Sequence, residues 1–357
     1  MSMSRKLNVA IVGATGVVGS IMRRLLADER DKWGEIRLVA SPRSAGKVLT
    51  VGDEEITVQA IGPDVFDGVD IAHFDLPDEV SAEWVPIAAA AGAVVIDKSA
   101  YFRMDPEVPL VCREANPEAA SERPKGIIAN ANCTTLALIP TLAALDKAFG
   151  LVSMSVASYQ AASGSGKEGL EALYAQIDKT ASVERIGTEP DDVRAVLGTE
   201  YDSPFGAPLA LNVVPKVGGW RDGGWTSEEL KVRNESRKIL GLPDLKVAST
   251  CVRVPVAVGH SQAVHATFSS EVTVAEAHRV LAEAEGVDLV DDPDNMVFPM
   301  PIDSVGKPGT QVGRVRQSID FPNSLEFFVV GDNLMKGAAL NSIETAELIR
   351  LELEAKQ

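Results

Sequence analysis

Leu7-Asn8-Val9-Ala10-Ile11-Val12-Gly13-Ala14-Thr15-Gly16-Val17-Val18-Gly19-Ser20-Ile21-Met22 is the stretch whose reading decides the fold. Leu7 to Val12 reads as a short apolar strand. Gly13, Gly16 and Gly19 follow at once, and Ile21, Met22, Leu25 and Leu26 then recur at helical spacing with charges between them. Strand, glycine-rich turn and helix, in that order, form the context a dinucleotide fingerprint requires. Glycines let the backbone approach a pyrophosphate, and the helix N-terminus stabilises its charge. The spacing Gly-x-x-Gly-x-x-Gly is a relative of the common Gly-x-Gly-x-x-Gly. On its own it also fits a tight turn without a ligand. The loop residues expected to hold a cofactor are Gly13, Thr15, Gly16, Val17, Val18 and Gly19.

Working outward, Glu35 to Ala40 reads as the next strand, and its end selects the dinucleotide. An NAD binder places Asp or Glu there to bond the ribose hydroxyls. This chain has Ser41-Pro42-Arg43-Ser44-Ala45-Gly46-Lys47 instead. Ser41, Arg43 and Ser44 suit a 2′-phosphate, so NADP is the expected cofactor; a solvated basic loop is the other reading. Further strands are expected at 56–61, 69–74, 94–96 and 126–129, with a helix over 78–91. Alternating strands and helices imply an α/β fold with a Rossmann-type doubly wound parallel sheet.

The strand at 126–129 runs into Asn130-Ala131-Asn132-Cys133-Thr134-Thr135, and helix-compatible spacing restarts there. Cys133 is thus expected in the first turn of a helix. The unpaired N–H groups and partial positive charge of a helix N-terminus favour thiolate over thiol. Such a sulfur is a nucleophile without any metal. A small buried core Cys remains the alternative.

The totals bound the rest. At 357 residues the chain is long enough for about two domains. A formal net charge of -17 argues against nucleic-acid or anionic-membrane partners. Anionic ligands must then meet local basic pockets. No apolar run approaches the ~20 residues of a membrane span. Three cysteines (Cys112, Cys133, Cys251) make no disulfide framework, which points to a reducing cytoplasm. Without a Cys-x-x-Cys pair and with only four scattered His, no metal site is expected.

After Pro140 the pattern changes. Strands are expected at 151–158, 246–258, 263–270 and 324–330, and helices at 167–180, 227–240 and 274–285. This predicts an α+β second domain on a mainly antiparallel or mixed sheet. The expected division is 1–132 for the cofactor domain, completed by 333–357, and 133–332 for the second. Residues 336–353 read as one amphipathic helix. The polar, acidic segment 178–206 fits an exposed excursion, a lid or an oligomer contact. Arg253 and His260 stand on or just beyond one apolar strand. An Arg there clamps a carboxylate with two parallel hydrogen bonds, and a His is an acid/base for a thiol. Two-residue alternation would put them on opposite faces, so convergence needs a bulge or turn at Pro255 or Gly259.

Eight motifs, in order, carry a family resemblance that covers nearly the whole chain. They are Gly13-Ala14-Thr15-Gly16-Val17-Val18-Gly19, Ser41-Pro42-Arg43-Ser44-Ala45-Gly46, Tyr101-Phe102-Arg103-Met104-Asp105-Pro106, and Asn132-Cys133-Thr134-Thr135. They continue with Tyr159-Gln160-Ala161-Ala162-Ser163-Gly164, Glu228-Glu229-Leu230-Lys231, Arg253-Val254-Pro255 with Gly259-His260-Ser261, and Asp332-Asn333-Leu334-Met335-Lys336-Gly337-Ala338-Ala339. The chain resembles the aspartate-semialdehyde dehydrogenases. The resemblance implies reversible, NADPH-dependent reduction of aspartyl phosphate to aspartate semialdehyde and phosphate, in lysine, threonine, methionine and isoleucine biosynthesis. It implies a catalytic and dimerisation role for the α+β domain, in a homodimer or homotetramer.

By resemblance Cys133 is the nucleophile that forms an acyl-thioester, His260 its acid/base partner, and Gln160 the group that orients the acyl centre. Arg253 would hold the substrate α-carboxylate, Glu228 its amino group, and Arg103 and Lys231 the phosphate. Ser163, Gly164 and Asn333 would join the glycine loop and Arg43 around NADP. N-acetyl-glutamyl-phosphate reductase and glyceraldehyde-phosphate dehydrogenase share the Cys logic but not these motifs. A catalytically weak NADP-binding paralogue is the reading from another class. Three departures stand out. Ala131 replaces the family's usual Pro, which predicts a looser turn. Phe74-Asp75-Leu76-Pro77-Asp78 replaces a Ser-Ala-Gly stretch near the expected cofactor phosphate or nicotinamide. Val111-Cys112-Arg113-Glu114-Ala115-Asn116 replaces a common Val-Pro-Glu-Val-Asn.

Overall fold

The computed structural model describes residues 5–198 and 203–355. They form two compact units. The first comprises 1–132, 237–242 and 335–357, and the second 133–236 and 243–334.

In the first unit seven strands form one parallel sheet. Their order is Gln59–Ala60, Ile36–Ala40, Val9–Val12, Ile71–Phe74, Val94–Asp97, Ile127–Asn130 and Leu110–Val111. Val9–Val12, Ile71–Phe74 and Ile127–Asn130 are buried at every position, as expected of parallel strands covered on both faces. The chain winds outward from Val9–Val12 to one side, then returns to Ile71–Phe74 on the other. The order therefore reverses between those two strands, the crevice where doubly wound sheets take ligands.

The expected strand at 56–61 is two pieces. Glu54–Thr57 pairs with Val48–Val51 as a hairpin, and only Gln59–Ala60 joins the sheet. Gly52, at φ +59, makes the turn that separates the hairpin arms. The expected helix at 336–353 is also two pieces: a π-helical stretch, Met335–Leu340, and an α-helix, Asn341–Ala355. The wider turn accompanies a buried Lys336 that donates to both Glu114 and Glu344.

The second unit is built on a six-stranded mixed sheet. Its order is Lys246–Arg253, Leu151–Gln160, His260–Phe268, Ser324–Gly331, Thr310–Gln317 and Val287–Leu289. The outer pairs are parallel and the inner ones antiparallel. Helix Cys133–Phe149 packs on this sheet, with eleven buried residues that include Pro140. Helices Gly166–Ala181, Ser227–Leu240 and Val274–Glu283 lie close to their expected spans. The end of Ser227–Leu240 groups with the first unit rather than the second, because Lys238 Nζ donates to the carbonyls of Arg103, Asp105 and Val108 at 2.7–2.8 Å. Among the described residues no helix is long and apolar enough to cross a membrane.

Candidate active site

The dinucleotide loop lies wholly in the first unit. Val12 ends its strand, and Gly13 turns the chain at φ +99. The Gly13 and Ala14 amides both donate to the carbonyl of Val39 at 2.9 and 3.1 Å. A Cβ on Gly13 would lie 2.4 Å from the carbonyl oxygen of Asp75, and one on Gly19 2.4 Å from that of Gly13. Only glycine fits at either place. Helix Val17–Asp28 starts at Gly16 with no side-chain cap and no acidic residue in its first turn. Thr15 and Gly16 are exposed, while Val18 and Gly19 face the core. The result is a backbone cradle with N–H groups available to an anion, which fits a dinucleotide pyrophosphate. At the end of Ile36–Ala40, Ser41 and Arg43 are exposed and Ser44 is buried.

The turn after Ile127–Asn130 is held more firmly than Ala131 predicts. Asn341 Nδ2 donates to Asn130 Oδ1 at 2.6 Å and to the carbonyl of Val111 at 3.0 Å. Arg103 Nε donates to the carbonyl of Asn130 at 3.0 Å, and Nη2 to that of Lys98 at 2.5 Å. Arg103 is thus built into the backbone here. Asn341 has no signal in the sequence, since its role depends on a helix two hundred residues away.

In the second unit Cys133 opens helix Cys133–Phe149. Cys112 and Cys251 are buried, and Cys133 is not. Burial pushes both of those thiols up, Cys251 to about 12, so neither is poised to ionise. Cys133 Sγ lies 3.3 Å from His260 Nε2. The backbone amide of Ala161 donates to His260 Nδ1 at 3.0 Å. An amide can only donate, so Nδ1 carries no proton and the neutral ring holds its hydrogen on Nε2, facing sulfur. Burial, with the charge of Arg253 adding to it and that of Glu228 opposing it, pulls His260 down to about 3. The ring is neutral at physiological pH.

The expected strand at 246–258 ends at Arg253, and His260 begins a separate strand. Lys246–Arg253 and His260–Phe268 flank Leu151–Gln160 on opposite sides, parallel on one and antiparallel on the other. Face parity along one strand therefore does not apply. Gln160 pairs with Arg253 in register, Tyr159 with Ser261, and Ser158 with Gln262. Gly259, at φ +102, admits the turn between the flanking strands.

Behind the sulfur lies a buried polar network. Ser158 Oγ donates to Gln160 Oε1 at 2.9 Å, and Gln160 Nε2 to Glu228 Oε1 at 3.1 Å. Thr134 Oγ1 reaches the same Glu228 oxygen at 3.1 Å, and Lys231 Nζ reaches Glu228 Oε2 at 3.4 Å. Gln262 Nε2 donates to the carbonyl of Thr134 at 2.9 Å, which fixes the first turn beneath Cys133. Glu228 is placed by a capping box in Thr226-Ser227-Glu228-Glu229. The Thr226 amide donates to Glu229 Oε2 at 2.7 Å, and the Glu229 amide to Thr226 Oγ1 at 3.4 Å. Arg253 donates to the carbonyl of Ala161 at 2.6 Å, with its guanidinium 5.9 Å from the Phe205 ring centroid. Burial lowers its pKa, against the opposing charges of Glu228, Cys133 and Cys251.

Ser163 and Asn333 are buried against each other, the Asn333 amide donating to Ser163 Oγ at 2.9 Å. Asn333 Oδ1 also accepts from the Gly259 amide at 2.9 Å, which anchors the turn before His260. A Cβ on Gly164 would meet Arg253 Nη1 at 2.6 Å and the His260 ring at 3.1 Å. Gly164 thus packs against Arg253 and His260, while Ser163 and Asn333 hold the turn before His260. Ser158, Thr134, Gln262 and Phe205 join the expected residues here. Of these, only the Ser158/Gln160 alternation is visible in the sequence.

Two family models match the chain. One, semialdehyde dehydrogenase, NAD binding domain, covers residues 8–123; the other, semialdehyde dehydrogenase, dimerisation domain, covers 142–336. The aspartate-semialdehyde dehydrogenase of Bacillus subtilis is 42% identical over 349 residues, covering 98% of this chain and 99% of that protein. That of Corynebacterium glutamicum is 44% identical over 348 residues, covering 96% and 98%. Among solved structures, aspartate semialdehyde dehydrogenase II from Vibrio cholerae complexed with ASA matches with a TM-score of 0.89 at 37% identity, over 97% of this chain and 98% of that one. With both domains matched and full-length relatives of this similarity, the chain belongs to the aspartate-semialdehyde dehydrogenase family.

Proposed function

We propose that this chain reduces aspartyl phosphate to aspartate semialdehyde and phosphate with NADPH, and runs the reverse reaction with NADP and phosphate. The Cys133–His260 pair carries the reading: an accessible sulfur at a helix start, 3.3 Å from a ring nitrogen whose proton faces it. Cys133 thiolate attacks the acyl carbon, the C–S bond forms, and the bond from carbon to the phosphate oxygen breaks. Phosphate leaves and takes its proton from solvent. The nicotinamide, when bound, supplies a hydride to the thioester carbonyl. The resulting thiohemiacetal oxyanion collapses, reforms the carbonyl and expels Cys133 as thiolate. No proton transfer to the oxyanion is needed for this balance. His260 Nε2–H is placed as a hydrogen-bond donor to thiolate and oxyanion, beside the acid/base role that the family resemblance assigns to it.

Arg253 is assigned to the substrate α-carboxylate and Glu228 to its ammonium group. A buried carboxylate suits a free ammonium better than an uncharged acylated amine, which disfavours an N-acetyl substrate. Arg103 and Lys231 are the cations assigned to phosphate, and Gln160 orients the acyl group from beside Glu228. The absence of an acid after Ala40, with Ser41, Arg43 and Ser44 there instead, supports NADP over NAD. The match of residues 142–336 to a dimerisation domain supports pairing of two copies through the second unit.

The test follows NADPH absorbance with aspartate semialdehyde, NADP and phosphate. Phosphate-dependent NADPH formation is expected, with a loss of about 10³-fold or more in Cys133→Ala. Folded wild-type protein that binds NADPH but turns nothing over would favour the non-catalytic paralogue.

A further inference from the structure

At the reversal of strand order in the first unit, two chain segments leave the sheet side by side. One is the glycine loop after Val12, and the other is Asp75 after Phe74. The backbone of Asp75 crosses directly over the loop. The Asp75 amide donates to the carbonyl of Val12 at 2.9 Å, and its own carbonyl closes on Gly13. The side chain continues along the cradle: Oδ2 lies 3.7 Å from where a Cβ of Gly16 would stand. Gly16 is the residue from which helix Val17–Asp28 departs, the place where an anion would gain most from the helix. A carboxylate thus overlooks an anion cradle.

Its partner is Lys98, whose Nζ donates to Asp75 Oδ1 at 3.0 Å. Lys98 follows Val94–Asp97, and its amide donates to the carbonyl of Phe74 at 2.9 Å, so the pair is tethered at both backbones. Both side chains keep some solvent contact, 18% for Lys98 and 23% for Asp75. Asp78, the other acid of this stretch, is engaged elsewhere: its Oδ1 accepts from the Ala100 amide at 2.8 Å. Asp75 is the carboxylate that faces the loop.

We propose that Asp75 sets the dinucleotide affinity of this loop by repelling a pyrophosphate seated on Gly13–Gly19, and that Lys98 leaves Asp75 for the phosphate when the cofactor binds. The proposal rests on the cofactor reading above. It assigns the Asp75–Lys98 pair the work of a gate: closed, it neutralises Lys98; open, it turns Lys98 into a phosphate ligand and leaves Asp75 to solvent. The native affinity is then lower than the cradle alone would give.

The test is a direct binding titration of NADPH by fluorescence, with wild-type protein and Asp75→Asn, at low and high salt. Asn keeps the shape and removes the charge. Asp75→Asn is expected to bind NADPH about tenfold more tightly at low salt, with the difference shrinking as salt screens the repulsion. Adenosine 2′-monophosphate, which has no pyrophosphate, should bind both proteins alike. Adding Lys98→Met to Asp75→Asn should remove the gain. Equal or weaker NADPH binding by a folded Asp75→Asn overturns the proposal while leaving the cofactor reading intact. Failure of both proteins to bind NADPH overturns that reading, and the proposal with it.

Discussion

Helices Val17–Asp28 and Cys133–Phe149 each follow a strand of the parallel sheet, and their first turns are prepared in opposite ways. Helix Val17–Asp28 starts with glycines, no cap and exposed backbone, so its orphan N–H groups await an anion from outside. Helix Cys133–Phe149 starts with a cysteine, and the turn beneath is closed by Gln262 on the Thr134 carbonyl and Glu228 on its hydroxyl. One site is made by leaving groups out. The other is made by interlocking buried polar side chains, where an unpaired group is costly. A cofactor that comes and goes needs the first kind of site, and a covalent intermediate that must stay put needs the second.

That contrast can be broken at its strongest point, the donor beside the sulfur. His260→Ala removes a hydrogen-bond donor and should cost about 10²–10³-fold in kcat, with NADPH affinity unchanged. His260→Gln offers an amide N–H in its place and should restore much of the loss. If Gln is as poor as Ala, proton transfer by His260 is essential, and the donor role alone is not enough.

Acid offers a second way in. His260 is held neutral to about 3, and His73, buried on Ile71–Phe74 with Nδ1 2.7 Å from Ser342 Oγ, to about 4, chiefly by burial. Both lie below the ordinary value of 6.5. The unfolded chain therefore binds more protons, and stability falls as pH drops. The contribution is whole above 6.5 and is lost progressively down to the folded values. The loss is on the order of 3 kcal/mol for His73 by about pH 4. Denaturation midpoints from neutral pH downward measure it, and a flat profile would show that neither ring is kept neutral by the fold.

The glycine loop answers to geometry instead. Gly19→Ala places a methyl against the Gly13 carbonyl and should destabilise the first unit by about 1–3 kcal/mol, with NADPH binding weakened in parallel. Thermal melts with and without NADPH would show both effects. An unchanged melt would mean that the loop yields, and that its shape is less committed than its packing indicates.

The first region was legible from sequence because its signals are local: three glycines, a strand before them and a helical period after. Cys133 was legible for the same reason. The braces of the thiol centre were not. Gln160 and Arg253 lie in register across parallel strands ninety residues apart, and no local pattern encodes that pairing. The mistaken strand at 246–258 shows the limit: an apolar run continues past Arg253, but Pro255 and the turn at Gly259 end the pairing. Thr310–Gln317 was missed because Gly313 and a left-handed Arg314 at φ +57 interrupt its alternation, and the register shifts there. Ser163, Gly164 and Asn333 were read as cofactor residues; that Asn333 bonds Ser163 and the Gly259 amide, and that Gly164 packs on Arg253 and His260, has no local signal.

Asn341 has a consequence for how the protein is made. It ties Asn130 and Val111 together from the start of the last helix, and the first unit draws its final segment from 335–357. A nascent chain that has delivered the whole second unit still lacks this tie. The segment leading into Cys133 is therefore secured only near the end of translation, so premature termination between residues 133 and 341 yields a chain with its nucleophile present and its approach to that nucleophile unfastened.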